Sequence, residues 1–345
     1  MAGGISPERN VSLASGLAVM EALNGSEYDL CFVDPALGGD CLIELDKVEA
    51  HKEEMPSDEA LSSFKPSAYI DCVMSEALND VDLVFIALHG KYGEDGYIQS
   101  LLELRGINYT GSRRVSSALA MDKNLSKRIF ESARIMTPAW MTLTANHADQ
   151  LEILDEVISY LGKELVVKPN DQGSTVGVTI LMNADDRMLG EAVKKAVRYS
   201  DLAVVEQYIP GREITVGVLD GLALPIVEIV THDGYYDYEH KYTSGTTDYI
   251  CPADFDENMA EFIQGMAAMA HDVLGCTGAT RVDFRVDDDG QVFCLELNTI
   301  PGLTSLSLLP TAAKERGVDF TRLCELMVRS ALGETAVEAL QNDED

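Results

Sequence analysis

Positive charge is scarce in this chain of 345 residues: 26 lysines and arginines stand against 58 aspartates and glutamates, a formal net charge of −32. That balance excludes an extended nucleic-acid surface, because too few cations are present to displace counterions along a phosphate backbone. The acidity reads instead as a strongly solvated surface. No apolar run approaches the roughly 20 residues needed to cross a bilayer, and Met1–Gly4 does not read as a signal peptide. CxxC pairs are also missing. The seven cysteines (Cys31, Cys41, Cys72, Cys251, Cys276, Cys294, Cys324) are odd in number and scattered. They exclude a disulfide framework or a zinc site and point to reduced thiols in the cytoplasm. Internal repeats and low-complexity linkers are absent.

What is present is ordinary globular material, with 46% hydrophobic and 24% charged residues and length for two or three domains. In the first third, short apolar runs (Tyr28–Val33, Leu83–Leu88, Ile107–Tyr109) alternate with helical patterns (Val11–Leu23, Ile98–Leu104), an α/β layout with a parallel sheet. Gly3–Ser6 reads as the loop after a first sheet strand, yet that strand is missing, so a shortened start is expected. The middle predicts a helix at Lys123–Ala133 and strands at Glu164–Lys168 and Val176–Leu181. The last third predicts strands at Ala203–Tyr208, Glu213–Leu219 and Pro225–Ile229, with helices near Glu257–Leu274 and Phe320–Leu332. The acidic tail after Glu334 is expected to fray.

Arg281-Val-Asp283-Phe284, an acidic glycine-ended turn at Asp287–Gly290, and Glu296-Leu-Asn298 predict a β-hairpin. Side chains two apart share a face, so Arg281 goes with Asp283 and Glu296 with Asn298, and antiparallel pairing brings the two sets together. Two carboxylates and an amide oxygen are hard donors suited to Mg²⁺ on a nucleotide's phosphates. The same residues also describe a salt-bridged hairpin with a solvated turn.

Other polar groups gather at element ends. Gly173-Ser174-Thr175-Val176-Gly177 joins two strands; it lacks the ending of a Walker A loop and precedes no helix, so it is either a phosphate-covering hairpin tip or a plain turn. Lys123 and Lys168 sit where a lysine meets either phosphate or solvent. Glu206 and Glu213 flank a strand–turn–strand and are candidates for ribose hydroxyls. His89 opens a glycine-dense loop at the end of an apolar strand, where α/β proteins place ligands. The tyrosine-rich stretch Tyr235–Thr247, with Lys241 and Tyr242, reads as a lid or as a surface excursion.

Taken together and in this order, these segments resemble the D-alanine–D-alanine ligases of the ATP-grasp superfamily. The resemblance is carried by Gly3 to Leu13, His89 to Gly96, Met121-Asp122-Lys123, Val167-Lys168-Pro169, Gly173 to Gly177, Gly211-Arg212-Glu213, Tyr236 to Tyr242, Arg281-Val282-Asp283 and Glu296 to Leu308. It implies an α/β ATP-grasp fold with an N-terminal parallel-sheet domain (1–112), a central domain (113–206), a C-terminal domain with lid and metal site (207–335) and an acidic tail (336–345). It also implies ATP-dependent joining of two D-alanines through an acyl phosphate, supplying the dipeptide for peptidoglycan synthesis.

Under that resemblance Asp283, Glu296 and Asn298 hold Mg²⁺ or Mn²⁺, two ions in all. Lys123, Lys168, Lys241, Gly173, Ser174, Thr175, Glu206 and Glu213 hold ATP. Glu8 binds the first D-alanine's ammonium and joins Ser174 and Tyr242 in one chain, while Arg281 and the N–H of Gly302 stabilise the oxyanion. Ser12, His89, Ser307 and Leu308 complete the substrate set. A homodimer in the cytoplasm is implied, with neither nucleic acid nor membrane as partner. Asn10, Thr175 and Ser100 depart from the common pattern without removing a catalytic group. D-alanine–D-serine ligase, D-alanine–D-lactate ligase and a non-catalytic ATP-binding protein are the alternatives, and Tyr242 favours an amine as second substrate.

Overall fold

Strands in this protein fall into four sheets among the described residues, and two of those sheets face each other across the candidate site. The computed structural model describes residues 1–48, 56–231, 247–304 and 307–335. Lys241, Tyr242 and all of the expected lid except Thr247 lie outside the described residues, as does the acidic tail from residue 336.

The N-terminal region runs α1 (Arg9–Ala22), β1 (Phe32–Val33), β2 (Leu42–Ile43), α2 (Asp58–Ser62), α3 (Ala68–Val73), β3 (Leu83–Val84), α4 (Tyr97–Arg105) and β4 (Asn108–Tyr109). β3 and β4 pair in parallel, as the alternating pattern predicts, whereas β1 and β2 pair antiparallel. Each strand is two residues long; β1, β3 and β4 are shorter than the apolar runs that predicted them, and β2 had no such run. Burial continues past the paired residues: Ile86, Ala87 and Leu88 are buried beyond the end of β3. The slot for a first strand is not empty. Ala2 N–H donates to the Val33 carbonyl (2.9 Å), the Met1 amino group donates to Phe85 O (2.8 Å) and Ala87 N–H to Met1 O (2.9 Å). Met1 and Ala2 thus make parallel-type ladder bonds between β1 and β3.

α5 (Arg114–Met121) and α6 (Lys123–Ser132) follow; Asp122 caps α6 by accepting the Leu125 N–H at 2.9 Å. β5 (Trp140–Leu143), α7 (Leu151–Leu161), β6 (Leu165–Pro169), β7 (Thr179–Leu181), α8 (Asp186–Ala196) and β8 (Ala203–Gln207) then build an antiparallel sheet in the order β5-β8-β6-β7. Its apolar face, including Leu165, Val167 and Val205, closes against Val157 and Leu161 of α7 and Leu189 and Val193 of α8.

The rest comprises β9 (Arg212–Leu219), β10 (Leu222–Thr231), β11 (Thr247–Ile250), α9 (Glu257–Val273), β12 (Ala279–Val286), β13 (Val292–Asn298), α10 (Leu308–Glu315) and α11 (Phe320–Ala331). These five strands form an antiparallel sheet in the order β11-β10-β9-β12-β13. Strand alternation splits it into two cores. Ile214, Val216, Val218, Val282 and Phe284 pack with Ile263, Ala267 and Ala270 of α9. Leu219, Leu224, Val227 and Ile229 pack with α10, α11, Val19 of α1 and Leu23 just past its end. Gly217 permits the close approach of α10, because a Cβ there would lie 2.6 Å from Leu309 Cδ1. Ala120, Phe130 and Ile135 also belong to the α9 core. The helices within 113–135, grouped by sequence with the central domain, therefore pack on the C-terminal sheet.

Phe284 is fully buried in β12, one residue after Asp283. Phe284→Ala is expected to cost about 3–5 kcal/mol, as truncation of a core aromatic does. Urea unfolding of the variant checks this, and a loss under about 1 kcal/mol would contradict the packing described.

Candidate functional site

A cavity of about 930 Å³ opens between the four-stranded and five-stranded sheets and is closed on one side by the start of α1 and the His89 loop. Its wall gathers residues that are remote in sequence: Glu8 and His89; Lys123, Lys168, Gly173, Ser174, Thr175 and Glu206; Glu213, Arg281, Asp283, Glu296 and Asn298; then Gly302, Ser307 and Leu308. Of the described candidates, Ser12 alone is not on this wall. It is fully buried, accepts the Gly3 N–H at 2.8 Å and donates to Ala87 O at 2.7 Å, so it holds the chain start against β3 and does not face a ligand.

The acidic end of the site is the predicted hairpin. Arg281 lies opposite Asn298 and Asp283 opposite Glu296, with an irregularity after Asp283. The turn closes through Asp287, whose carboxylate accepts the N–H groups of Asp289 (3.0 Å) and Gln291 (2.8 Å). Asp283 is gripped from three sides. Arg281 donates to both of its oxygens at 2.9 Å, Thr215 Oγ1 donates at 2.6 Å and Asn298 Nδ2 at 3.0 Å. Two carboxylates facing each other across a strand pair, with an amide beside them, form a hard-oxygen donor set that fits Mg²⁺. A divalent ion there would take over the charge that Arg281 and Lys123 now neutralise. Among the described residues, no group of three or more His, Cys, Asp or Glu could hold a metal, so tight binding of this ion would need ligand oxygens as well.

The basic wall is built on β6, β8 and α6. Lys168 Nζ lies 2.6 Å from Glu206 Oε1, and Lys127 Nζ lies 3.0 Å from Oε2 of the same carboxylate. Glu206 is buried, which alone would raise its pKa, but Lys127 and Lys168 outweigh that and hold it below the usual carboxylate value. Burial works to lower the Lys168 pKa; Glu206 and Glu296 overcome it, so the ammonium is held charged. Lys123 donates to Gln172 O at 2.7 Å and pairs with Glu296 at 3.2 Å. Glu213, the other ribose candidate, pairs with Arg285 at 3.1 Å.

The Gly173–Gly177 loop connects β6 to β7 and stores backbone strain. Ser174 and Thr175 have φ of 52° and 61°, in the left-handed region that costs a β-branched residue most. Gly173 lies directly over Glu8: a Cβ there would come within 2.8 Å of Glu8 Oε2, and the same holds at Gly90. Glu8 is therefore sandwiched between two backbone segments, while Ser6 accepts the Glu8 N–H (3.2 Å) and donates to His89 O (2.6 Å). Ser307 stands before α10, in contact with Thr304 (2.9 Å), and its Oγ is 3.0 Å from where a Cβ on Gly302 would be.

His89 is buried, with Nε2 3.1 Å from Ser15 Oγ. Desolvation lowers its pKa from 6.5 to about 4, which keeps the ring neutral. Glu94 accepts the Gly90 N–H at 2.6 Å; burial and then the Glu8 carboxylate push its pKa up. Glu94, Ser15, Lys127 and Thr215 were not singled out from sequence. Glu94 lay inside a segment already noticed, Lys127 follows Lys123 by one helical turn, and Ser15 and Thr215 carried no distinguishing signal.

Residues 1–112 match the family described as D-ala D-ala ligase N-terminus, and residues 129–329 the family described as D-ala D-ala ligase C-terminus. A D-alanine–D-alanine ligase of Magnetococcus marinus is 39% identical over 330 residues, covering 95% of each chain. The crystal structure of D-alanine–D-alanine ligase from Bacillus anthracis complexed with ATP superimposes with a TM-score of 0.72 at 30% identity, covering 99% of this chain and 97% of that one. The VanG D-Ala:D-Ser ligase from Enterococcus faecalis gives 0.74 at 28% identity over 96% and 97%. With both halves matched, and with two sheets enclosing one charged cleft, the chain belongs to the D-alanine–D-alanine ligase family and has the ATP-grasp fold.

Proposed function

We propose that this protein joins two D-alanine molecules with ATP. The observation that supports it best is the convergence, in one cavity, of lysines from α6 and β6, the strained glycine loop and the Asp283–Glu296 hairpin. The γ-phosphoryl group passes from ATP to a carboxylate oxygen of the first D-alanine, leaving ADP. The amine of the second attacks the acyl carbon, and phosphate departs as the peptide bond forms. Mg²⁺ bound at Asp283, Glu296 and Asn298 would neutralise phosphate charge.

The chain's own residues divide the remaining work. Lys123 and Lys168, each paired with a carboxylate, position the nucleotide's phosphates, and Gly173, Ser174 and Thr175 cover them with backbone N–H donors. Glu206 orients Lys168 beside the nucleotide, and Glu213, paired with Arg285, is the carboxylate for the ribose hydroxyls. Glu8 supplies the buried carboxylate for the first substrate's ammonium. Arg281 and the N–H of Gly302 stabilise the developing oxyanion, and the start of α10 at Ser307 and Leu308 receives the second carboxylate. Neutral His89 lines the substrate end without adding charge. Ser174 and Tyr242 would complete the chain from Glu8, and Lys241 would join the cations. Three domains, with the helices of 113–135 packed on the C-terminal sheet, and a cytoplasmic homodimer complete the proposal. A D-serine second substrate is the alternative that a solved relative favours, since the VanG neighbour is a D-Ala:D-Ser ligase.

Phosphate release with Mg-ATP and D-alanine, compared with D-serine and D-lactate, tests the reading. D-alanine is expected to give the highest rate and the dipeptide as product; no release from protein that binds Mg-ATP would refute it. Arg281→Ala is expected to lower kcat by about 10²–10³, the usual cost of one oxyanion donor. His89 gives a second check. Its folded pKa of about 4 lies below the unfolded 6.5, so its contribution to stability is complete above pH 6.5 and is lost as pH falls toward 4. An NMR titration of the imidazole should show no protonation above pH 5, and a midpoint near 6.5 would contradict its burial.

A further inference from the structure

Lys127 has no place in the proposed chemistry, yet it is the largest fully buried side chain that carries a charge. It lies on α6 one turn beyond Lys123, which faces the cavity, and does not itself line that cavity. Its ammonium donates to Thr137 Oγ1 at 2.6 Å and to Pro138 O at 3.1 Å, lies 3.0 Å from Glu206 Oε2, and stands 5.2 Å from the centre of the Trp140 ring. Each contact is short and the group is shielded from water, so its geometry is fixed.

The other oxygen of Glu206 meets Lys168 at 2.6 Å. One carboxylate thus carries two ammonium groups, one per oxygen. A lone Glu206–Lys168 pair would be neutral and held at one carboxylate oxygen only. Burial lowers the Lys127 pKa while Glu206 opposes that shift; with Lys127 protonated the group has a net positive charge, and both carboxylate oxygens are held. Phe130, three residues along the same helix, is fully buried in the core of the five-stranded sheet, whereas Glu206 and Lys168 belong to the four-stranded one. Lys127 is therefore also a polar tie between the two sheets that enclose the cavity.

We propose that Lys127 is a positioning residue for the nucleotide: it anchors Glu206 so that Lys168 is aimed, with its charge uncancelled, at the phosphates. This rests on the assignment of Lys168 to the nucleotide above. Removing the anchor leaves Glu206 to neutralise Lys168 and to swing with it, which weakens nucleotide binding without touching the D-alanine sites.

Calorimetry with Mg-ATP and no amino acid reads this directly. Lys127→Met is expected to weaken Mg-ATP at least about tenfold, in line with losses of supporting contacts behind a ligand group. It should also raise the KM for ATP while leaving the KM for D-alanine within about twofold. In a Lys168→Met background the same substitution should add little, because both act through one ammonium. Thr137→Val, which removes only the hydroxyl anchor, should shift ATP affinity in the same direction by a smaller factor; it decides the matter if Lys127→Met does not fold. Unchanged ATP affinity in a folded variant, equal changes in both KM values, or full additivity with Lys168→Met would overturn the role of Lys127 and leave the nucleotide reading standing. Wild-type protein that binds no Mg-ATP would overturn both.

Discussion

Burying charge is costly unless each group is met by an opposite one, and this constraint organises the whole cleft. Asp283 is held by Arg281, Thr215 and Asn298; Glu206 by Lys127 and Lys168; Glu296 by Lys123; Glu213 by Arg285. The pairing matters more here than in most proteins, because the molecule carries a net charge of −32, a field that repels anions in general. Of the chain's few cations, Lys123, Lys168, Arg281 and Arg285 stand on the wall of this one cavity. Each is fixed by a carboxylate that prevents its collapse onto a neighbour, so the site is preorganised before any ligand arrives.

That arrangement in turn dictates the sheets. A carboxylate can be held from three sides only if neighbouring strands keep register, and β12 is flanked by β9 and β13 on either edge. Thr215 lies across from Asp283 on one side and Glu296 on the other, so a single rung of the sheet carries the acceptor, its hydroxyl donor and the second carboxylate. A slip of one residue would turn all three to the opposite face, into the apolar core of Ile214, Val216, Val282 and Phe284. The two cores of the five-stranded sheet therefore do more than stabilise it. They lock the register that keeps Thr215, Asp283 and Glu296 on the cavity face.

The sequence made the hairpin plain, because alternation and an acidic glycine-ended turn leave few other foldings for 279–298. The loop at Gly173–Gly177 marked the β6–β7 hairpin as well, but the order β5-β8-β6-β7 of that sheet was not legible. What could not be read was burial of charge: Lys127 looks like any helix lysine by spacing, and Glu94 like any loop acid. Only three-dimensional packing removes them from water. Ser12 shows the converse, since a serine in a matching segment proved to be bonded to backbone groups on either side. The strand lengths near the start also escaped, because apolar runs continue to be buried after ladder pairing stops.

Glu8 is where the three parts of the molecule become one device. Its carboxylate lies against Gly90 of the N-terminal region and Gly173 of the β6–β7 loop, both so close that any side chain would collide with it. The helix that Glu8 precedes packs at its far end, through Val19 and Leu23, into the core beneath α10 and α11. Glu8 thus touches the β6–β7 loop directly and is linked through α1 to the core on which α10 packs. Glycine at 173 is therefore required, since any Cβ there would strike the Glu8 carboxylate, and the loop reaches this position with Ser174 and Thr175 in the left-handed region.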